Sequence, residues 1–379
     1  MKALLVLGDR SNPNFYFFTR FAPPDPAIYI KYDTKEVLLV SELEYQRAQK
    51  ESSVTEVVSI QRLPGEKLSF SDSYSAVIEP AVRYCLANGI NEVYVEPTFP
   101  LASARFMEQK GIKVEVDHLY FLESRRRKRK SEIEYIRASV RAAEEAIRSV
   151  CKTVALAEPK NNLLYKGRIC ITSEYLLSKI ENELWRKGYI PEDPIIAGGS
   201  ESALPHSRGK GPLQHGLPIV IDIFPRDKRT HYYGDVTRTV VYGEPNELVQ
   251  RMYVAVYDAQ QKALSMLRPG VNARNVHQEV CRVLYEKGFG TLLDQYKRQD
   301  APAYFIHGTG HGVGLAIHEE PGVRDQDVLL EPGDVITVEP GLYASGLGGV
   351  RIEDTVAITE DGIDNLTTLP KSLNVVDYI

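Results

Sequence analysis

Short apolar runs separated by turn residues open the chain. Residues 3–7, 27–30, 37–40 and 93–95 read as strands, and 81–88, stopped by Gly89, reads as the end of a helix. Beyond residue 130 the period changes. Ile133, Ile136, Val140, Ile147, Val150 and Val154 recur at spacings of three, four and seven, which places them on one face of a long helix. Ser131 and Glu134 form a Ser-x-x-Glu capping box at its start. Two further helices are predicted over 175–187, ahead of Gly188, and over 247–267, with Asn246 as N-cap and Pro269-Gly270 as the stop. Around them 217–223, 237–242, 335–338 and 350–358 are β-rich and apolar and read as strands. The pattern predicts a mixed α/β (α+β) protein in two parts. A smaller α/β domain spans 1–124 and a larger mixed domain spans 125–379, with the boundary at the basic run 125–130.

Length supports the division, because 379 residues exceed what one core usually organises and 43% hydrophobic residues suffice for two. A formal net charge of -5 is small for this length and gives no general attraction to nucleic acid or to a membrane surface. No stretch has the length of a membrane helix, and the apolar residues after Met1 give way to Asp9, Arg10 and Asn12 too soon for a secretory signal. Cys85, Cys151, Cys170 and Cys281 lie far apart with no metal or redox spacing, so they read as reduced, buried thiols of a cytoplasmic protein. The run at 125–130, beside Glu132 and Glu134, reads as a solvated linker.

Candidate chemistry concentrates in the second part. Asp222 ends the apolar run Pro218-Ile219-Val220-Ile221, where a lone carboxylate is costly to bury. Asp235 stands thirteen positions on, directly before another strand pattern, and a hairpin would bring the two acids together. Like charges at that range need a cation, a proton or an arginine between them. Glycines at 308, 310, 312 and 314 surround His311 and follow His307, predicting a loop that needs their permissive backbone. No Lys-Ser/Thr pair or helix pattern follows these glycines, which sets aside a phosphate-binding loop. Glu339 ends the strand pattern at 335–338, and Glu353 follows Arg351 on the same face of a strand. Asp222, Asp235, His311, Glu339 and Glu353 make a hard, oxygen-rich ligand set. Such a set suits two divalent metal ions roughly 3.5–4 Å apart, Mn²⁺ or Co²⁺ first, with Fe²⁺ or Zn²⁺ as alternatives.

The order Asp…Asp…His…Glu…Glu, with His-Gly-x-Gly-His-Gly-x-Gly-Leu-x-x-His-Glu-x-Pro in the middle and Glu-Pro-Gly and Arg-Ile-Glu-Asp after it, resembles the pita-bread metallopeptidases. The branch it resembles holds Xaa-Pro dipeptidase (prolidase) and aminopeptidase P. The segment 14–21 more weakly resembles the N-terminal domain of the creatinase and prolidase branch. The resemblance implies a C-terminal pita-bread catalytic domain preceded by a smaller creatinase/prolidase-type α/β domain. It implies that Asp222 chelates one metal ion, that Asp235 and Glu353 bridge both, that His311 is the imidazole ligand, and that Glu339 is both ligand and proton shuttle. His318 would meet the scissile amide or the tetrahedral intermediate, His206 would lie on the substrate side, and Arg351 would orient Glu353. The implied activity is hydrolysis of the bond between an N-terminal residue and proline, in dipeptides or short peptides, by a cytoplasmic homodimer. The alternatives are a metal-free or inactive pita-bread protein that binds peptides, and a creatinase-like C–N hydrolase. Three departures are local: the spacing from Asp222 to Asp235 implies a longer hairpin than usual, Gly322 stands where many prolidases carry an arginine, with Arg324 nearby, and the Asn often found shortly before the histidine matched by His206 is missing from 198–205.

Overall fold

The central strands of the first unit are apolar on both sides, and the computed structural model, which describes residues 1–67, 69 and 72–379, shows why. Within Met1–Arg125, one of two compact units, six strands form a mixed sheet. Their order is Glu56–Ser59, Lys35–Val40, Ala27–Tyr32, Lys2–Gly8, Glu92–Val95 and Lys113–Val116. Leu5, Ile30, Val37 and Leu39 pack with Ile78, Val82 and Phe106 in one core; Val6, Tyr29, Leu38 and Val40 pack with Phe15 and Phe21 in another. Sequence neighbours thus go to opposite faces, and with both faces covered the polar alternation of a half-exposed sheet is lost. Asn12 caps the helix Pro13–Thr19 by accepting from the Phe15 amide at 3.0 Å. The side-chain amides of Asn12 and Asn14 both donate to the buried Glu96 carboxylate, at 2.6 and 2.5 Å.

In the second unit, Arg126–Ile379, the helix Lys130–Ala155 buries Ile136, Val140, Ile147, Val150 and Val154, the face that the spacing predicts. Full burial of each such side chain contributes about 1.5–3 kcal/mol. Its cap differs from the expectation. The backbone N–H of Arg129 donates to Glu132 at 2.9 Å, so the box sits two residues upstream of Ser131 and Glu134. The reason is burial: Glu132 also accepts the hydroxyl of Tyr232 at 2.6 Å, whereas Glu134 is exposed and pairs with Arg137. The solvated-linker reading of 125–130 fails at two alternate residues. Arg126 is buried with both nitrogens Nε and NH2 at 2.9 Å from the Asp334 carboxylate, and Lys128 is buried 3.0 Å from Glu319, while Arg127 between them is exposed. The acids that draw these cations inward lie about two hundred positions away, beyond the reach of any local pattern.

Three sheets of this unit matter for the site. Ile195–Gly198, Pro218–Ile223 and Val236–Val241 form an antiparallel trio. A five-stranded sheet runs Glu319–Val323, Gly310–Gly312, Val335–Val338, Asp354–Ile358, Ile363–Asn365, and a four-stranded one ends in Gly341–Ala344 and Gly348–Arg351. The single strand expected over 350–358 is therefore two strands in two sheets. It breaks because the Glu353 amide leaves both ladders and donates to Thr237 O at 3.0 Å. Helices Ser173–Arg186 and Glu247–Met266 occupy the predicted stretches, the second with Asn246 accepting from Leu248 N. A further helix, Ala273–Glu286, escaped the reading although Asn272 caps it and Val276, Val280 and Leu284 repeat every fourth residue. Cys85, Cys151 and Cys281 are buried and Cys170 only partly so, all four as free thiols. Among the described residues no helix is long and apolar enough to cross a membrane.

The hairpin carrying Asp235 rests on the long helix through Gly234. The Ser139 hydroxyl donates to Tyr232 O at 2.9 Å, and a Cβ at Gly234 would overlap the backbone of Ser139 and Val140. Gly234→Ala is expected to cost about 1–3 kcal/mol, the range of overpacking in a close-packed interior. An unchanged denaturant midpoint would show that the hairpin lifts off the helix freely.

Candidate metal centre

Backbone register brings the five predicted ligands toward one place. Asp222 lies opposite Thr237, and Asp235 precedes Thr237 by two residues, so all three side chains share one face of the hairpin. On the five-stranded sheet Val338 lies opposite Asp354, and one step beyond that pair stand Glu339 and Glu353. His311 sits between Gly310 and Gly312, and its strand pairs with both Glu319–Val323 and Val335–Val338. One ligand atom from each of Asp235, His311 and Glu353 lies within 4.8 Å of the others. His311 Nε2 is 3.6 Å from Asp235 Oδ2 and 3.5 Å from Glu339 Oε1. The glycines around His311 serve a purpose other than the expected one. None of Gly308, Gly310, Gly312 and Gly314 adopts a left-handed backbone; instead a Cβ at Gly310 would overlap the Thr337 carbonyl, and one at Gly312 would sit 2.6 Å from Glu320 O. Close backbone approach, not unusual φ, requires glycine here.

Electrostatics is severe without a counter-charge. Burial, reinforced by Glu353, Asp222 and Glu339, pushes the Asp235 carboxyl well above its usual range. Burial with Glu339 and Asp222 does the same to Glu353, and burial raises Glu339 against the opposing fields of His307 and Arg351. Burial also lowers the proton affinity of His311, whose Nδ1–H donates to Gly312 O at 3.1 Å. That bond leaves the Nε2 lone pair facing the acids. Asp222 Oδ1 and Asp235 Oδ1 are buried without hydrogen-bond partners. Two orphaned acid oxygens, an imidazole lone pair and two further carboxylates fit a divalent cation pair, which would supply positive charge beyond that of Arg351.

Partners of the acids depart from expectation. Arg351 donates to Asp222 Oδ2 at 2.6 Å and to the Tyr343 hydroxyl at 2.9 Å, so it holds Asp222 directly, and it reaches Glu353 through Thr237, whose hydroxyl lies 3.3 Å from its Nε. Glu353 is held by the hydroxyl of Thr237 at 2.7 Å. Thr237 and Tyr343 were not singled out from the sequence; their signal is position, at i+2 from Asp235 and i+4 from Glu339. His307 lies against Tyr343, its Nε2 2.8 Å from the hydroxyl. His318 stacks edge-on to His311 with ring centroids 4.4 Å apart, and burial together with His311 lowers its proton affinity. His206 and His318 are exposed, whereas His311 is half-buried. At Gly322, a Cβ would lie 3.0 Å from Arg324 Nε, and that guanidinium pairs with Glu320 at 2.8 Å.

Known proteins share the sequence pattern and the fold that carry this cluster. The sequence profile of metallopeptidase family M24 matches residues 134–360, which contain all five acids and imidazoles of the cluster. An Xaa-Pro dipeptidase of Pyrococcus furiosus is 32% identical over 362 residues, 95% of this chain and 92% of that protein. Among solved structures, the prolidase from Pyrococcus horikoshii OT3 superposes with a TM-score of 0.78 at 29% identity, over 98% of this chain and 95% of the other. An X-Pro aminopeptidase from Thermotoga maritima superposes at 0.79 with 25% identity, over 99% and 97%. The smaller first unit is thus shared with these proteins and the mixed α/β architecture is theirs throughout. With its profile match spanning the hairpin, the glycine-flanked histidine and both glutamates, the chain belongs to metallopeptidase family M24.

Proposed function

We propose that Asp222, Asp235, His311, Glu339 and Glu353 hold two divalent ions, Mn²⁺ or Co²⁺ with Fe²⁺ or Zn²⁺ as alternatives, and that the chain hydrolyses the bond between an N-terminal residue and proline. The observation that carries the reading is the pair of partnerless buried oxygens on Asp222 and Asp235 beside the Nε2 of His311, which faces Asp235 and Glu339. A metal-free protein on this scaffold would leave both oxygens buried and unpaired. Bound divalent ions supply Lewis acidity, polarising the scissile carbonyl and making water a nucleophile near neutral pH. Glu339, whose carboxyl is raised toward the proton-accepting range, takes the proton of the attacking water and returns it to the leaving nitrogen. His318, kept neutral beside His311, donates a hydrogen bond to the developing charge, and His206 supports it from the substrate side. Arg351 and Thr237 keep Asp222 and Glu353 in place. The reading includes the cytoplasmic homodimer expected from the sequence.

After loading with Mn²⁺ or Co²⁺, the chain is expected to cleave Xaa-Pro dipeptides or Xaa-Pro-Xaa peptides, to stop on chelation and to resume on metal readdition. Turnover of the dipeptide against that of the longer peptide assigns it as dipeptidase or aminopeptidase. No chelator-sensitive cleavage in either panel sinks the reading.

A further inference from the structure

Lysine is almost never fully buried unless paired, and Lys128 is buried outside the cluster of acids just described. Its ammonium lies 3.0 Å from Glu319 Oε2, with both side chains withdrawn from solvent. The approach is fixed from behind. Lys128 N donates to Gly333 O at 2.8 Å, and two residues earlier Arg126 grips Asp334 through two bonds of 2.9 Å. The lysine is thus delivered to Glu319 by a backbone tied on both sides to Gly333 and Asp334.

Glu319 directly follows His318, and its carboxylate folds back into the turn that carries that histidine. Oε1 accepts the Ala316 amide at 2.9 Å. The carboxylate packs against Gly314 so closely that a Cβ there would overlap it, and the Gly314 carbonyl is held in turn by the Tyr233 amide at 2.9 Å. The carboxylate is therefore an internal strut of residues 312–318. A buried carboxylate moves outward to water or takes up a proton unless a cation pairs with it, and Lys128 is such a cation.

We propose that Lys128 is a positioning residue for the reaction: through Glu319 it holds the 312–318 turn and, with it, the imidazole of His318. The inference rests on the role of His318 in the proposed hydrolysis. Lys128 touches no metal ligand, and His311 is also held from the side away from Glu319, where its amide donates to Thr337 Oγ1 at 3.1 Å. Loss of the lysine should therefore slow turnover while leaving metal content intact.

The test compares the metal-loaded full chain with Lys128→Met, Lys128→Arg and the double variant Lys128→Met/Glu319→Gln. In Lys128→Met, hydrogen exchange of the Ala316 amide is expected to quicken about tenfold or more, because its acceptor is no longer fixed. On an Xaa-Pro substrate kcat should fall about 10- to 100-fold, as when an outer partner of a site residue is lost, with KM within about threefold and two metal ions per chain. Lys128→Arg keeps the charge and should recover most of kcat. The double variant removes the stranded anion but keeps the Oε1 acceptor, so it should exceed Lys128→Met; it also serves if the single variant does not fold. Unchanged kcat in Lys128→Met, unchanged Ala316 exchange, or a loss of kcat that follows loss of metal overturns the proposal. A wild-type chain inactive on every Xaa-Pro substrate overturns the functional reading instead, and Ala316 exchange then decides whether the strut exists.

Discussion

Asp235→Asn is expected to remove Xaa-Pro hydrolysis, by about 10³-fold or more, and at the same time to make the metal-free protein more stable. The first effect follows from Lewis-acid stabilisation worth several kcal/mol in the transition state, where each 1.36 kcal/mol is tenfold in rate. The second follows from the environment of this carboxyl. It is buried, and Glu353, Asp222 and Glu339 all act against its ionised form. A carboxyl whose folded pKa is raised costs stability as pH rises past its unfolded value near 4, because folding then opposes loss of the proton. Asparagine has the same shape without the charge, so at pH 7 the cost disappears. Saturating Mn²⁺ should reverse the order: the wild type gains about 2.7 kcal/mol at a hundredfold excess over Kd, and the variant, with a neutral amide in place of a carboxylate, gains little. Thermal unfolding with and without metal reads both signs. A variant that is both active and unable to outlast the wild type after chelation contradicts the assignment of Asp235.

How much of this was legible in the sequence depends on how locally each feature is determined. The face of the helix Lys130–Ala155 was legible because burial of Val140, Ile147, Val150 and Val154 repeats with the helical period. The acids at Asp222 and Glu339 were legible because each ends a β-branched run, and their convergence on His311 followed from the ordered motifs. Their immediate partners were not. Arg351 shares a local pattern with Glu353, yet it bonds Asp222, 129 positions away, because the chain changes sheets between the two residues. The buried pairs of Arg126 and Lys128 escaped for the same reason: a run of six cations looks solvated until the fold supplies Asp334 and Glu319. The glycines near His311 were recognised as necessary, but for conformational freedom, when the constraint is the closeness of neighbouring strands. Periodicity is a property of one element, and these features are properties of the contact between elements.

Arg238 carries that point to its largest energetic consequence. It is fully buried one residue beyond Thr237, and it donates to the carbonyls of Pro370, Thr237, Glu353 and Leu369 at 2.6–2.9 Å and to Asp354 at 2.9 Å. One side chain thereby joins the hairpin of Asp235 to the crossing strand of Glu353 and to the C-terminal segment. Arg238→Met is expected to destabilise the second unit by about 3–5 kcal/mol, since it leaves a buried carboxylate and several buried carbonyls without their donor. The pH dependence separates these two causes. Burial alone would raise the Asp354 carboxyl, but Arg238 and Lys371 outweigh it and hold the group below its usual range. A lowered folded pKa gives stability that is present above the unfolded value near 4 and lost as pH falls through the folded one. Urea unfolding should therefore show the widest gap between wild type and variant at neutral pH, narrowing below about pH 4 as Asp354 protonates in both. The part of the gap that survives in acid belongs to the carbonyls. A gap that does not narrow at all would assign the whole effect to them, making Arg238 a clasp for backbone and Asp354 incidental to it.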